Sequence, residues 1–254
     1  METLLIDRAD GVVTVTMNRP ERKNAFTGTM IEEMLDVVDD VSTSSEDRVL
    51  VLTGAGDAFS SGADLAENPV SNGLTSMRRV GDLVLALHRL AKPTIARVNG
   101  VAVGMSCSLA LGCDLIVASS TARFSEIFTQ RGMSLDGGAS WVLPRLVGLH
   151  RAKEIAFFGD LIPAADALAM GLVNRVVEPS ELDTVVGEWA RRLASGPPIA
   201  LSMTKTMLNN SFSSTMAEAV EDEARCQIVN AATEDLREAV TAFLEKRPAV
   251  FRGR

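Results

Sequence analysis

The stretch that most constrains the fold of this chain runs from residue 94 to residue 114, TIARVNGVAVGMSCSLALGCD. A short, largely β-branched run, Thr94 to Val98, passes through Gly100 and Gly104 into a segment of small residues, Ser106 to Leu111. Such glycines leave the first N–H groups of a helix unpaired and free of side-chain obstruction. The pattern predicts a strand–turn–helix unit of an α/β fold. Its helix start either receives a negative oxygen or only packs closely on a sheet.

Length, charge and cysteine usage narrow the class of protein. The 254 residues suffice for one large domain or for a domain with an appendage, and the net charge of −8 argues against a general nucleic-acid binder. Three cysteines without a C-x-x-C pair give no disulfide framework, so we expect reduced thiols in a cytoplasmic protein. The sequence has no leader pattern, no apolar run of spanning length and only two histidines. We therefore expect no membrane, nucleic-acid or metal partner.

Local signals predict several turns and helix ends. Asp10-Gly11, between two alternating runs, predicts a type I′ hairpin. Thr29 with Glu32 fits a capping box at the start of an amphipathic helix. Residues 68–72 predict a loop. The clearest break in composition is Gly-Pro-Pro at 196–198, after which the pattern is helical almost to the end.

Seven short motifs follow one another along nearly the whole chain. In chain order they are NRP with KNA (18–25), VLTG (51–54), AFSSGADL (58–65), KPTIA with VNG (92–100), CDLIVA (113–118), GG with LPRLVG (137–148) and AMGLV (169–173). In this order and spacing they resemble the enoyl-CoA hydratase/isomerase, or crotonase, family. Each motif alone is weak evidence, and the resemblance rests on their order.

The resemblance implies a fold, an assembly and a substrate class. It implies an α/β crotonase-like spiral of repeated β-β-α units, with a CoA-thioester site in residues 1–195. Residues 196–254 would then be a C-terminal helical trimerisation region, giving a homotrimer or a dimer of trimers. Family members act on acyl-CoA, as in fatty acid metabolism. No separate cofactor is implied, because coenzyme A is carried as part of the substrate.

The resemblance also assigns an oxyanion hole. By position, the backbone N–H groups of Ala63 and Met105 would hold the thioester oxygen as it becomes an enolate, and each such donor is typically worth ~3 kcal/mol. Met105 departs from the glycine common in the family: it keeps the N–H but can crowd the acyl group. Asp64 is expected to brace the loop. Ser61 either binds substrate or satisfies nearby backbone groups.

Neither of the two glutamates that family hydratases use to activate water is found. The family pattern puts Ser108 and Phe128 at their positions, and neither side chain can act as a carboxylate base, so at these positions both are expected to contact the substrate instead. Glu126 lies two residues before Phe128. Counting from Gly137, however, reaches Phe128 without a gap, so Glu126 is not predicted to replace the lost glutamate.

Asp136 is the predicted catalytic base. Double-bond isomerases of the family resemble this chain in carrying an aspartate before the small residues, and one base suffices to move a proton along an acyl chain. Apolar neighbours predict a raised pKa for its carboxyl. The alternative is that Asp136 only caps the following helix. Phe128, Met133 and Trp141 either line an acyl pocket or belong to the core.

Six further residues are placed near the coenzyme by the resemblance. They are two cations near the phosphates, two apolar residues near the adenine and an aromatic–lysine pair that reaches across a subunit boundary: Arg22 and Lys23, Ala25 and Leu65, Phe243 and Lys246. Taken singly, each basic residue is equally explained as solvated surface charge.

The interpretation we favour is an enoyl-CoA double-bond isomerase with Asp136 as proton shuttle. The first alternative is an enoyl-CoA hydratase with an atypical water site. The second, from another class, is a catalytically silent protein that only binds CoA thioesters.

Overall fold

The computed structural model describes residues 1–67 and 73–254, and the loop predicted at 68–72 lies outside them. The described residues form ten strands and ten α-helices. The strands are β1 (Leu4–Ala9), β2 (Val12–Met17), β3 (Val49–Gly54), β4 (Ala58–Ser60), β5 (Thr94–Val98), β6 (Val101–Val103), β7 (Leu115–Ser119), β8 (Arg123–Ser125), β9 (Ile162–Pro163) and β10 (Arg175–Val177). The helices are α1 (Gly28–Thr43), α2 (Leu74–Arg89), α3 (Met105–Leu111), α4 (Ala139–Val147), α5 (Leu149–Phe158), α6 (Ala164–Ala169), α7 (Leu182–Ala194), α8 (Pro198–Asn210), α9 (Met216–Ala231) and α10 (Glu234–Glu245).

The strands join into two sheets. The larger has the order β1-β2-β3-β5-β7-β10, parallel except for the β1–β2 hairpin, and the smaller has the order β4-β6-β8-β9. In three successive units, β3-β4-α2, β5-β6-α3 and β7-β8-α4, the first strand joins the larger sheet and the second joins the smaller one. These are the repeated β-β-α units that the sequence predicts.

Strand β3 explains why part of the sequence is apolar without alternation. Leu50 and Leu52 are buried in the larger core cluster, whereas Val49 and Val51 are buried in a second cluster with residues of α7. Because both faces of this central parallel strand are covered, successive residues are all apolar.

The predicted hairpin is confirmed and the predicted capping box is wrong. Asp10 and Gly11 both have positive φ, 51° and 77°, as a type I′ turn requires. Helix α1 instead begins at Gly28, and the Thr27 hydroxyl accepts a hydrogen bond from the Met30 N–H at 3.1 Å. Thr27 has the extended backbone that a capping residue needs, whereas Thr29 already lies inside the helix.

The C-terminal helices differ from the rest in how little they bury. In this single chain α8 and α9 contain no fully buried residue. Large apolar side chains are instead exposed along this region: Leu208, Phe212, Met216, Ile228, Phe243 and Leu244. Within the described ranges, none of the helices is both long and apolar enough to cross a membrane.

Candidate active site

A cavity of about 560 Å³ lies where three β-β-α units meet. Its walls come from the start of α1, from α2, from the loop after β4, from the start of α3, and from the 3-10 segment Ile127–Arg131 with the residues that follow it. These elements are distant in sequence. The alternation of strands between the two sheets brings their ends together.

One wall is the loop that follows β4. The Phe26 N–H donates to the Gly62 carbonyl, and the Asp64 N–H donates to the Phe26 carbonyl, both at 2.8 Å. These two bonds hold the loop on either side of Ala63, which lines the cavity. Arg19 braces the same loop, because its guanidinium lies 3.0 Å from the Asp64 carboxylate.

The start of α3 forms the neighbouring wall. Gly104 has φ 57° and ψ −130°, a conformation that side-chain-bearing residues rarely adopt, and its N–H donates to the Ser125 carbonyl at 2.7 Å. A Cβ on Gly62 would lie 2.6 Å from the Val103 carbonyl oxygen and 3.9 Å from the Gly104 Cα. The missing side chain at Gly62 therefore lets the Ala63 loop approach the start of α3.

The Ala63 and Met105 amides are both available to a ligand. Both residues line the cavity, and neither backbone N–H donates to a protein group within residues 1–67 and 73–254. The Met105 side chain is buried and lines the same cavity, so it narrows the space for a ligand without removing the N–H. Two amide donors beside an apolar cavity are suited to an oxygen that gains negative charge.

Asp136 lines the same cavity, in the segment that precedes α4. Its Oδ1 atom is buried and has no hydrogen-bond partner among the described residues. Burial raises the pKa of the Asp136 carboxyl to about 6. A carboxylate in this environment is a stronger base than one in water, yet it is still ionised at neutral pH.

The alternative role of Asp136 as a helix cap is wrong. Helix α4 begins at Ala139 after Gly138, and no side chain caps it. The Asp136 backbone carbonyl accepts from the Ala139 N–H at 3.1 Å, while the carboxylate oxygen remains unpaired. The turn of the chain is thus made by main-chain groups.

Two other carboxylates line the cavity, and both are already paired. Glu32 forms a salt bridge with Arg79 that joins α1 to α2, and Asp64 pairs with Arg19. Among the described residues that line the cavity, Asp136 is the carboxylate without an ion pair. Neither arginine partner carried a signal in the sequence, because each pairing joins segments far apart in the chain.

The predicted pocket residues divide between the cavity and the surface. Phe128 and Met133 line the cavity, as one of the two alternatives for them expected. Trp141 does not: Arg145, four residues later on α4, lies 3.9 Å from the centre of its ring, and His88 of α2 packs edge-on against it. Trp141 is 41% exposed, because it lies on the outer face of α4.

Ser108 is also absent from the cavity wall, contrary to its predicted binding role. It is fully buried, and its hydroxyl lies 3.2 Å from Oε2 of Glu126, which is buried as well. Glu126 does not line the cavity, but it lies directly behind this wall, closer to the site than the sequence predicted. The sequence carried one signal that Glu126 is buried: it is the only acidic residue between Phe124 and Phe128.

The predicted coenzyme residues near the N-terminus cluster at one end of the cavity. Ser61 and Leu65 line it, and the Ser61 hydroxyl donates to the Arg22 carbonyl at 3.3 Å. Arg22 and Lys23 are exposed on the adjoining loop, where the Lys23 ammonium lies 3.3 Å from the Asp57 carboxylate. Ala25, which precedes Phe26 of the cavity wall, is buried.

The predicted C-terminal coenzyme residues lie apart from this cavity within the single chain. Phe243 is 82% exposed near the end of α10, and Lys246 follows α10 with a left-handed backbone, φ 55°. Neither lines the cavity.

In the described part of the chain, His, Cys, Asp and Glu side chains form no group of three that would hold a metal ion.

Comparison with known proteins agrees with this arrangement. A family model described as enoyl-CoA hydratase/isomerase matches residues 7–254. The chain is 35% identical to the 1,2-epoxyphenylacetyl-CoA isomerase of Escherichia coli over 261 aligned positions, covering 100% of each chain. It is 36% identical to the short-chain-enoyl-CoA hydratase of Clostridium acetobutylicum over 252 positions, covering 97% of this chain and 96% of the relative.

A solved structure gives the same result for the backbone. The enoyl-CoA hydratase from Bacillus anthracis superposes with a TM-score of 0.95 at 30% identity, covering 99% of this chain and 100% of the other. The predicted fold class, an α/β spiral of β-β-α units with C-terminal helices, is confirmed.

Proposed function

The chain belongs to the enoyl-CoA hydratase/isomerase family and is an acyl-CoA thioester enzyme, and from this premise we propose that it is an enoyl-CoA double-bond isomerase. The observation that carries the proposal is that Asp136, whose Oδ1 has no hydrogen-bond partner among the described residues, lines the same cavity as Ala63 and Met105. An isomerase needs one base and one oxyanion site, and this cavity offers both.

In the proposed reaction, the two amides bind the thioester oxygen. Asp136 takes a proton from the α-carbon, and the electron pair moves toward the thioester oxygen, which becomes an enolate held by the two N–H groups. The protonated Asp136 then returns the proton to the γ-carbon, and the double bond shifts by one position. The carboxyl ends in its starting state, so no other reactant is consumed.

The cavity walls support the proton transfer. Phe128 and Met133 are apolar residues that line the same cavity, and the burial of Asp136 keeps the pKa of its carboxyl raised. Because Glu32 and Asp64 are held in salt bridges, they do not compete for the proton. Asp136 then carries the proton between the two carbons, and a deuteron from the solvent enters the product whenever the protonated carboxyl exchanges before the return step.

The same proposal extends to the coenzyme end and to the assembly. Arg22 and Lys23 would contact the coenzyme phosphates, and Phe243 and Lys246 would reach a coenzyme bound by a neighbouring subunit. Exposed apolar residues on the C-terminal helices support residues 196–254 as the trimerisation region, in a homotrimer or a dimer of trimers. The cytoplasmic location stays a prediction from the sequence.

The hydratase is the second candidate, supported by the relatives that carry that name. Hydration requires a water held and activated beside the double bond, usually by two carboxyl groups. In the part of the cavity that the structure describes, two of the three lining carboxylates are already paired with arginines. This arrangement favours proton transfer by Asp136 over water addition.

Two measurements with the purified protein separate these candidates. Vinylacetyl-CoA, whose α-protons lie between the double bond and the thioester, is expected to take up deuterium from deuterated water and become crotonyl-CoA, followed by NMR. Crotonyl-CoA in oxygen-labelled water is expected to give no labelled hydroxyacyl product. Labelled product without isomerisation would support the hydratase, and neither isomerisation, deuterium uptake nor labelled product would support the silent CoA-binding protein.

A further inference from the structure

We propose that Glu126 is a positioning residue for the oxyanion site: through the Ser108 hydroxyl it fixes and polarises the peptide unit that carries the Met105 N–H. This inference rests on the proposed function, because it assigns Glu126 a role in the same enolate-forming reaction. The side chain touches neither the cavity nor the substrate, so it acts only through its neighbours.

Glu126 occupies a place where a carboxyl group is costly. It follows β8, begins the 3-10 segment Ile127–Arg131 and is completely buried. No lysine, arginine or histidine within residues 1–67 and 73–254 forms a salt bridge with it. Its side-chain hydrogen bond is to Ser108 of α3, whose Oγ lies 3.2 Å from Oε2 and 3.5 Å from Oε1. A buried carboxyl held this way, without a cation, has a specific reason to be there.

Ser108 passes this contact to the oxyanion site. Its Oγ lies 3.3 Å from the Gly104 carbonyl oxygen, four residues earlier. That carbonyl belongs to the same peptide unit as the Met105 N–H. A hydrogen bond to the carbonyl of an amide polarises the unit and makes its N–H a stronger donor. A series of hydrogen-bonded groups therefore connects the Glu126 carboxyl, through the Ser108 hydroxyl and the Gly104 carbonyl, to the Met105 N–H.

The direction of the hydrogen bonds depends on the proton of Glu126. Burial is the main cause that raises the pKa of the Glu126 carboxyl to about 8; the Asp136 charge adds to this rise, and hydrogen bonds from Cys107 and Ser108 oppose it. At neutral pH the protonated carboxyl donates to Ser108 Oγ, which leaves the serine hydrogen free to donate to the Gly104 carbonyl. Once Glu126 ionises it must accept from Ser108, so Gly104 loses that bond and a negative charge lies behind the forming enolate.

Among the groups that face Glu126, the Glu126 carboxyl is the one whose protonation state is expected to change just above neutral pH. From α3 it faces the Cys107 thiol, whose pKa is raised well above its ordinary value by burial and by the Glu126 charge. From the segment before α4 it faces Asp136, which ionises at lower pH. Helix α5 meets the 3-10 segment through backbone carbonyls, which accept hydrogen bonds from the Thr129 hydroxyl, and among the described residues none of its charged groups shifts the pKa of Glu126.

The test is the pH dependence of deuterium uptake by vinylacetyl-CoA, measured by NMR between pH 5 and pH 10 for the wild type and for Glu126→Gln and Glu126→Ala. The wild-type rate is expected to decline above about pH 8, by roughly tenfold per pH unit. Glu126→Gln is expected to lose this decline, because its amide donates to Ser108 Oγ but cannot ionise. Glu126→Ala is expected to lower the saturated rate about tenfold with KM changed less than twofold, and Gln to recover most of that loss.

A matched control is Glu154→Gln, an exposed glutamate on α5, which is expected to keep the wild-type pH profile. An alkaline decline that persists in Glu126→Gln would overturn the role of Glu126 while leaving the isomerase intact. A wild type that exchanges no α-proton would overturn the proposed function and this inference together. Because Gln is nearly the same size as Glu, the conclusion does not depend on whether the alanine variant folds.

Discussion

The two walls of the cavity are built from different kinds of groups. On one wall, the Ala63 and Met105 donors are main-chain amides, held by the Phe26 pairing and by the turn at Gly104. On the other, Asp136 is a single side chain with an unpaired oxygen. Main-chain donors persist through most side-chain substitutions, whereas one substitution removes the base.

Under the proposed function, this difference would explain how the chain keeps the family's binding site while its proton chemistry differs from that of a hydratase. Met105 replaces the expected glycine and still presents its N–H, so the oxyanion wall tolerates the change. Ser108 and Phe128 replace the two hydratase glutamates, and each loss removes a carboxyl outright. The proposal therefore assigns oxyanion stabilisation to the main chain and the type of reaction to a few side chains.

The largest effect is expected from the substitution of Asp136, the side chain proposed as the base. Asp136→Asn is expected to slow α-proton exchange about a thousandfold, the usual scale for losing a general base. Binding of the acyl-CoA, measured by calorimetry, is expected to change by less than about threefold, because the amides remain. Undiminished exchange would remove Asp136 from the mechanism. The thermal unfolding temperature of this variant is expected to stay near that of the wild type, because the lost carboxylate oxygen has no partner.

The main-chain wall is tested by Met105→Pro, which removes one N–H donor. Met105 is the first residue of α3, a position where proline is tolerated, so the fold is expected to survive. The saturated exchange rate is expected to fall about a hundredfold, as when one oxyanion donor is lost. Met105→Ala is the matched control, because it changes the side chain and keeps the N–H. Equal losses in both variants would mean that the side chain, not the amide, matters.

A smaller effect is expected from pH alone. Because Asp136 acts as a base only when ionised and its pKa is raised to about 6, the exchange rate should rise through pH 6 and be about tenfold lower at pH 5 than at pH 7. A rate profile over this range measures the effect. An acid limb centred near pH 4 would mean that the carboxyl is exposed to water during the reaction.

The smallest effect is expected where the main-chain wall is braced by side chains. Asp64→Asn removes the ionic partner of Arg19 without changing the size of the side chain, and it is expected to lower kcat/KM for vinylacetyl-CoA isomerisation by about threefold to tenfold. Asp57→Asn, at the exposed partner of Lys23, is the control and should alter isomerisation little at saturating substrate. A loss as large as that of Asp136→Asn would show that Asp64 takes part in proton transfer.

Much of this arrangement was predictable because it depends on local sequence. The hairpin at Asp10-Gly11 needs two residues that tolerate positive φ, and the continuous apolar run of β3 indicates a strand covered on both faces. The motifs around Ala63, Met105 and Asp136 identified three positions that the fold brings to one cavity. In each case the information lies in a few adjacent residues.

Contacts between distant segments were decided only by the tertiary structure. Glu126 meets Ser108 across 18 residues, and Glu32 pairs with Arg79 across 47, so no local pattern marks either pair. Trp141 packs with Arg145 on an exposed face of α4, whereas Asp136, in the segment before α4, lines the cavity. The sequence determined the fold family and the donors that line the site. The contact of Glu126, just after β8, with Ser108 of α3 decided which carboxyl is buried behind the cavity wall, because burial depends on neighbours that the chain supplies from elsewhere.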